Sequence, residues 1–267
     1  MSKQSLTVSP GKRIKLDEFD PRYDSGMEKE EALAEMQGHL AAIDKLTYRL
    51  YAENRRSVLL VLQGMDTSGK DGTIRHVFAG VDPQACQIAS FKQPTTLELA
   101  HDFLWRIHQQ APRRGNIGIF NRSHYEDVIV VRVHELVPEK EWRGRYDQIN
   151  AFEKLLWDSS TTIIKCYLHI SREEQRERLE ARLKDPEKRW KFNLGDLEER
   201  KLWPEYQKAS EDALTKCNTE YAPWYIVPAD RKWHRNLIVS RILRETLERL
   251  DPQFPPAEPG IENVVVE

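Results

Sequence analysis

Apolar residues along the chain fall into two alternating patterns. Short unbroken runs at 58–62, 87–91, 116–120, 162–170 and 224–228 read as buried strands. Between them apolar residues recur every three or four positions, the spacing of a helix with one buried stripe. Leu33, Met36, Leu40, Ile43, Leu46 and Leu50 predict a long helix from Glu28, whose seam fits either the chain's own core or a second subunit. Residues 73–80 predict a helix with Ile74, Val77 and Phe78 inward. Residues 97–111 predict one with Leu97, Phe103, Leu104 and Ile107 inward and His101, Arg106 and Gln110 outward. Residues 139–157 predict a helix burying Ile149, Phe152, Leu155 and Leu156. Ser171, followed by Glu173 and Glu174, predicts the start of another, which ends before Pro186. Helices are also predicted over 197–216 and 233–250. Residues 125–133 are ambiguous, because the run Val128-Ile129-Val130-Val131 suits a strand as well as a helix.

Strands and helices therefore alternate. That order predicts an α/β fold, a mainly parallel sheet flanked by helices on both faces. Pro10, Gly11, Pro21 and Gly26 break residues 1–26, which read as a flexible N-terminal arm. Residues 27–251 read as one domain and 252–267 as a loose tail with an apolar end, Val264-Val265-Val266. Three scattered cysteines argue against a disulfide framework or a cysteine zinc site. No apolar run has membrane-span length, and the N-terminus is too polar for a secretory signal, so a reducing cytoplasm is the expected setting with no membrane partner. Net charge is −2, so any polyanion must meet a local cation cluster, and no base-reading motif points to nucleic acid.

The first strand runs into Gly64-Met65-Asp66-Thr67-Ser68-Gly69-Lys70-Asp71-Gly72-Thr73. Gly64, Gly69 and Lys70 match the first seven positions of the phosphate loop G-x-x-x-x-G-K-[ST]. Glycines let backbone N–H groups converge on phosphate oxygens, and the following helix adds roughly half a positive charge at its start. Lys70 adds a full one. The eighth position is Asp71 rather than Ser or Thr, so the hydroxyl that usually holds Mg2+ is missing. Gly72 and Thr73 complete the candidate phosphate cradle.

Three further clusters carry chemistry. The third strand ends in Asn121-Arg122-Ser123-His124-Tyr125-Glu126-Asp127, at the sheet edge where α/β folds place ligands. Asp66 and Asp127 are the candidate Mg2+ ligands, and Asn121 and Glu126 lie beside them; as a plain structural motif, Asn121 would cap a helix and Asp127 face water. Arg176, Arg178, Arg182, Lys184, Lys188, Arg189 and Lys191 form a cationic run after the fourth strand. By itself such a run is a solvated helix paired with Glu173, Glu174, Glu177 and Glu180. Its place in the fold, by analogy with phosphate-loop kinases, suits a lid over about 172–195. Trp224 reads as core, and Tyr221 either fills the core or stacks on a base. Arg75, Lys92, Arg113 and Arg132 are candidates for a basic groove.

Together, residues 64–72, 121–127 and 182–191 resemble the polyphosphate kinase 2 family, over about 19–250. The resemblance implies a phosphate-loop kinase fold with a helical lid, and transfer of the terminal phosphoryl group of inorganic polyphosphate to AMP and ADP, and to guanine counterparts, reversibly, with Mg2+ or Mn2+. It implies phosphate and metal handling at Asp66 and Lys70, a second loop at Arg122, and lid roles for Arg178, Arg182, Lys188 and Lys191. Many members carry Asp where this chain has Asn121 and a basic residue where it has Asp127, and this version resembles the class III subgroup. A homo-oligomer, dimer or tetramer, is the expected assembly. Rival readings are an ATP-dependent nucleoside monophosphate kinase and a nucleotide-binding protein without turnover.

Overall fold

The five apolar runs form one sheet in the computed structural model, which describes residues 6–266. Its strands are β1 (Ser57–Gln63), β2 (Cys86–Ser90), β3 (Ile117–Asn121), β4 (Thr161–His169) and β5 (Trp224–Pro228). Every neighbouring pair is parallel, and the order is β2-β3-β1-β4-β5. β1 is central and buried along its whole length, as its unbroken apolar run requires. Leu62 pairs with Asn121 and Gln63 with Tyr167, so the carboxyl ends of β1, β3 and β4 open onto one place. That is where the chain order reverses across the sheet, and where open α/β sheets bind ligands.

The helices are α1 (Lys29–Glu53), α2 (Lys70–Val77), α3 (Thr96–Leu99), α4 (Trp105–His108), α5 (Glu126–Val133), α6 (Glu139–Asp158), α7 (Arg172–Lys184), α8 (Gly195–Lys201), α9 (Trp203–Lys216) and α10 (Lys232–Leu250). Period-two alternation along the strands divides the core between two faces. Val58, Leu60 and Leu62 of β1 pack under Ile43 and Leu50 of α1, Ile74 and Val77 of α2, and Ile238 and Leu243 of α10. Leu59 and Val61 pack with Val128 of α5, Ile149 and Phe152 of α6, and Ala213 of α9. No helix among the described residues is long and apolar enough to cross a membrane.

Several expectations change. The ambiguous segment after β3 is helical, as α5. The α1 stripe faces α10 through Ala32, Met36, His39, Ile43, Thr47 and Leu50, while Leu33 is 43% exposed. The stripe keeps Met36, Ile43 and Leu50 of the predicted seam, leaves Leu40 and Leu46 partly buried beside it, and includes two polar residues, with His39 held to Ser240 of α10 at 3.1 Å. Residues 97–111 do not make one helix. Thr95 and Glu98 cap the single turn α3, and Asp102 accepts from the Leu104 N–H to begin α4, so Leu97 lies outward and Arg106 inward. Glu153 rather than Leu155 faces the core from α6. The predicted helix over 197–216 breaks into α8 and α9 at Pro204, which sits in the first turn of α9 where its missing N–H costs nothing.

The N-terminal arm is not a flexible arm beyond its first five residues, which lie outside the described residues. Leu6 accepts from the Ile226 N–H at 2.7 Å, and Ile14, Leu16 and Phe19 are buried against the α9 side of the sheet. Their apolar spacing is too short and irregular to have read as an element. At the other end, Phe254 packs edge-on to Tyr48, whereas Val264, Val265 and Val266 are exposed and Glu267 lies outside the described residues.

Candidate active site

Gly64 leaves β1 with φ at +148°, and a Cβ there would lie 2.7 Å from the Leu168 carbonyl, so only glycine fits. Gly69, at φ +103°, starts α2. Between them the loop folds over Lys70. The Lys70 ammonium donates to the Gly64 and Met65 carbonyls at 2.8 and 3.2 Å. Burial, then the charge of Arg122, lowers its pKa to about 8.

Asn121 and Asp71 answer each other. The Asn121 amide donates to Asp71 Oδ1 at 2.6 Å, across the mouth between β3 and α2. Asp71 thereby pins the second loop to the first. Arg122 continues the sheet ladder, its N–H on the Leu62 carbonyl at 3.1 Å, yet adopts φ +61°, a strained value for arginine. The strain aims its guanidinium at two carboxylates, Asp66 at 2.6 Å and Glu126 at 3.1 Å. Glu126 also takes the Gln63 amide.

Asp127 does not join Asp66. It is buried and pairs with Arg106 at 3.5 Å and Arg145 at 3.4 Å. Burial raises its pKa, and those two arginines only partly offset the rise. One residue of helix phase separates the two carboxylates: Glu126 turns toward the phosphate loop and Asp127 toward the buried arginines. Arg106 and Arg145 come from α4 and α6, far apart in sequence, and only Arg106 had a predicted orientation, the reverse of the observed one.

Arg178 also departs from its expected role. Its Nε donates to Glu174 at 2.7 Å, Nη1 to the Thr67 and Ser68 carbonyls at 2.9 and 3.1 Å, and Nη2 to the Ala229 and Asp230 carbonyls at 2.7 and 2.8 Å. Every N–H is spent, so Arg178 braces the phosphate loop from behind rather than reaching a phosphate. Thr73 is likewise buried, its hydroxyl turned to Asn236. Gln175 completes the bracing through the Asp66 carbonyl at 3.1 Å. Arg182 stays in the lid, 3.6 Å from Asp196, and Lys188 and Lys191 are exposed. Of the proposed groove cations, Lys92 lines the site, Arg132 is paired to Asp212 at 2.6 Å, and Arg113 precedes β3, at the amino end of the sheet. Trp224 is core, and the Tyr221 hydroxyl donates to the Asn150 carbonyl at 3.0 Å, which ties it to α6 rather than leaving its ring for a base.

Behind the second loop lies a buried ion cluster. The Lys165 ammonium donates to Glu153 at 2.7 Å, to the Tyr125 hydroxyl at 2.8 Å and to the Cys217 carbonyl at 2.6 Å. The other Glu153 oxygen accepts from Tyr125 at 2.7 Å and meets His124 Nε2 at 3.1 Å. Burial alone would push the Glu153 carboxyl up, but Lys165 and His124 hold it below the usual range. The sequence carried a signal: a lysine inside an apolar strand must find a buried partner.

Two cavities meet here. The smaller is lined by Gly64, Met65, Asp66, Gln175, Glu199 and Tyr206. The larger, of about 1240 Å3, runs along Lys92, Phe103, Arg106, Val131, Leu136 and Arg145. Arg122 and Glu126 line both.

Residues 24–255 match the model of the family described as polyphosphate kinase 2. This chain belongs to that family. It is 54% identical over 262 residues to the AMP/ADP-polyphosphate phosphotransferase of Meiothermus ruber, covering 97% of this chain and 98% of the relative. It is 45% identical over 273 residues to the ADP-polyphosphate phosphotransferase of Rhodopseudomonas palustris, covering 96% and 93%. The fold is also that of a polyphosphate kinase 2 crystal structure from Arthrobacter aurescens, with a TM-score of 0.93, 41% identity, and coverage of 97% of this chain and 93% of that one. Membership in a polyphosphate kinase family accounts for a phosphate loop followed by a cationic lid stem.

Proposed function

We propose that the protein transfers the terminal phosphoryl group of inorganic polyphosphate to AMP and ADP, and to their guanine counterparts, in a reversible reaction. What carries this reading is the junction at Arg122 and Glu126, where the phosphate loop and the larger cavity share a wall. The phosphate loop and the lid cations suit the polymer donor. The larger cavity offers an apolar flank at Val131, Leu136 and Val137 and cations at Lys92, Arg106 and Arg145, which suits a nucleotide.

The acceptor oxygen belongs to a phosphate already ionised at neutral pH, so attack needs no general base. What the protein must supply is in-line placement and neutralisation of charge on the transferring group. Lys70 and Arg122 provide the charge. Arg122 pairs with Asp66 and Glu126 at the loop mouth, and its guanidinium can exchange those carboxylates for phosphate oxygens. Loop bracing by Arg178 and Gln175 keeps the backbone donors in place without reorganisation.

Mg2+ fits this site through Asp66 and Glu126 rather than through Asp66 and Asp127. The first two have side chains 35% and 17% exposed at the loop mouth, whereas Asp127 is locked to arginines. No cluster of three metal-ligating side chains occurs among the described residues, which suits a Mg2+ shared with substrate phosphates rather than caged by protein. Asp66 and Glu126 would hold the ion there, and it would supply neutralising charge for the transferring phosphoryl group.

The test is incubation of the purified chain with long-chain polyphosphate and AMP, ADP, GMP or GDP, with nucleotides separated by chromatography. Formation of ADP from AMP and ATP from ADP, lost about a hundredfold or more in Lys70→Ala, is the expected result. Phosphorylation of AMP by ATP, but never by polyphosphate, would establish the monophosphate-kinase reading instead.

A further inference from the structure

Beneath the phosphate loop, on the side away from its mouth, a second arginine lies against the same turn as Arg178. Arg235 belongs to the first turn of α10 and is 2% exposed. Its Nη1 donates to the Ser68 carbonyl at 3.0 Å, beside the Arg178 bond to the same oxygen. Its Nε and Nη2 donate to Asn236 Oδ1 at 3.2 and 2.9 Å. The guanidinium touches the loop so closely that a Cβ on Gly69 would fall 1.8 Å from Nη1.

All of these partners are neutral. Arg235 forms no ion pair among the described residues, and the acid that bears on it, Glu174, is already taken by Arg178 Nε at 2.7 Å. Lys232, in the same turn of α10, adds another cation to the group. Three cations thus share one carboxylate at the positive end of a helix, the reverse of the usual placement. Burial, then the charge of Arg178, lowers the Arg235 pKa to about 9. A buried charge without a counter-charge is costly, and persists where something compensates it. The Arg235 guanidinium lies directly against the Ser68-Gly69 peptide of the loop.

We propose that Arg235 is a positioning residue whose counter-charge is the phosphate bound in the loop: it holds the Ser68-Gly69 turn from below, and its charge is balanced only when the polyphosphate donor is in place. The proposal rests on the reading of the loop as the phosphate site. Arg178, with all its bonds made and its own acid, holds the loop whether or not an anion is present. Arg235 instead ties the energy of the loop to occupancy.

This has a consequence that a purely structural brace would not show. Removing the Arg235 charge relieves the empty protein and penalises the loaded one. In Arg235→Met, the thermal midpoint without ligand is expected to stay at or above that of the parent. The rise in midpoint on adding tripolyphosphate is expected to shrink, and KM for polyphosphate to rise on the order of tenfold, the scale of one charge acting across a few ångströms of protein. Arg235→Lys, which keeps the charge and loses the fork, is expected to restore most of both. A lower midpoint without ligand, an unchanged gain from tripolyphosphate, or equal behaviour of the Met and Lys variants would overturn the proposal. If Arg235→Met does not fold, Arg235→Gln is read the same way, and failure of both to fold marks a structural brace and also overturns it. Lys70→Ala separates this from the reading beneath it. Loss of tripolyphosphate stabilisation in Lys70→Ala but not in Arg235→Met removes only the Arg235 proposal, whereas its retention in Lys70→Ala removes the phosphate-loop assignment itself.

Discussion

α7 carries two arginines one turn apart, Arg178 at its middle and Arg182 near its end, and holds them in opposite environments. Up to its middle, Gln175 and Arg178 are buried and bonded to the carbonyls of Asp66, Thr67 and Ser68. Toward its end, Arg182 and Lys184 lead into an outlying segment where Lys188 and Trp190 are largely exposed and Lys188 pairs with Asp185, three positions before it. One helix thus joins a fixed loop to a lid. The fixed end gains from having no freedom, since donors preset around a phosphate need not reorganise as charge moves. In the function proposed above, the far end would need freedom to close over a polymer and open again. Identical side chains serve both purposes, and the division follows from which of them α7 presses against the sheet.

The sharpest way to break this comparison is Arg178→Met. If Arg178 were a phosphate hand, its loss would spare the fold and lower only affinity. If it is a brace, its loss leaves the Thr67, Ala229 and Asp230 carbonyls without this donor, the Ser68 carbonyl with Arg235 alone, and Glu174 without its guanidinium partner. Loss of stability by about 3–5 kcal/mol is expected, read by denaturant unfolding, with activity lost alongside. An unchanged unfolding midpoint with a raised polyphosphate KM would return Arg178 to the lid.

Much of this arrangement was legible before any coordinates. Five apolar runs marked five strands, and Gly64, Gly69 and Lys70 marked the loop, because buried strands and phosphate cradles both leave strict local patterns. What was not legible depended on contacts between distant segments. Glu126 and Asp127 are adjacent carboxylates, and only the phase of α5 decides which turns to the loop. Arg178 and Arg182 are indistinguishable as members of a charge run. Arg235 lies more than 160 residues from the carbonyl it holds, and nothing around it in the sequence signals that contact. Lys165 was the exception, visible as a charge inside an apolar strand, and its partner Glu153 sits on the apolar face of α6. Even the N-terminal arm obeyed this rule: Ile14, Leu16 and Phe19 carry no period, and they are buried only because the edge of the sheet needs cover.

A smaller effect separates the loop from the lid by pH. Lys70, pressed against the braced loop, has a pKa lowered to about 8 by burial and then by the charge of Arg122. A bound phosphate favours the charged form, so the Lys70 pKa rises in the complex. The sign follows: affinity for polyphosphate is full below pH 8 and declines between the free and bound pKa values, by up to about tenfold per pH unit. The apparent affinity measured from pH 7 to 9.5 should show this decline in the parent and in Arg182→Met alike. A flat profile in the parent would mean that another cation carries the anion.

The smallest effect belongs to the lid itself. Arg182 pairs with Asp196 at 3.6 Å across the start of α8, with side chains 26% and 18% exposed. A pair so open to water adds little to stability, so Arg182→Met should change the unfolding free energy by no more than about 0.5 kcal/mol. Its contribution arises when the lid meets a polyanion. KM for long polyphosphate should rise by about three- to fivefold, with kcat altered less, and the dependence of KM on salt should weaken because one cation has left the encounter surface. The contrast with Arg178→Met then takes a measurable form: one variant unfolds early, and the other folds normally but binds its polymer less tightly. If Arg182→Met instead lowered stability as much as Arg178→Met, both ends of α7 would be braces, and closure would have to depend on Lys188 and Lys191 alone.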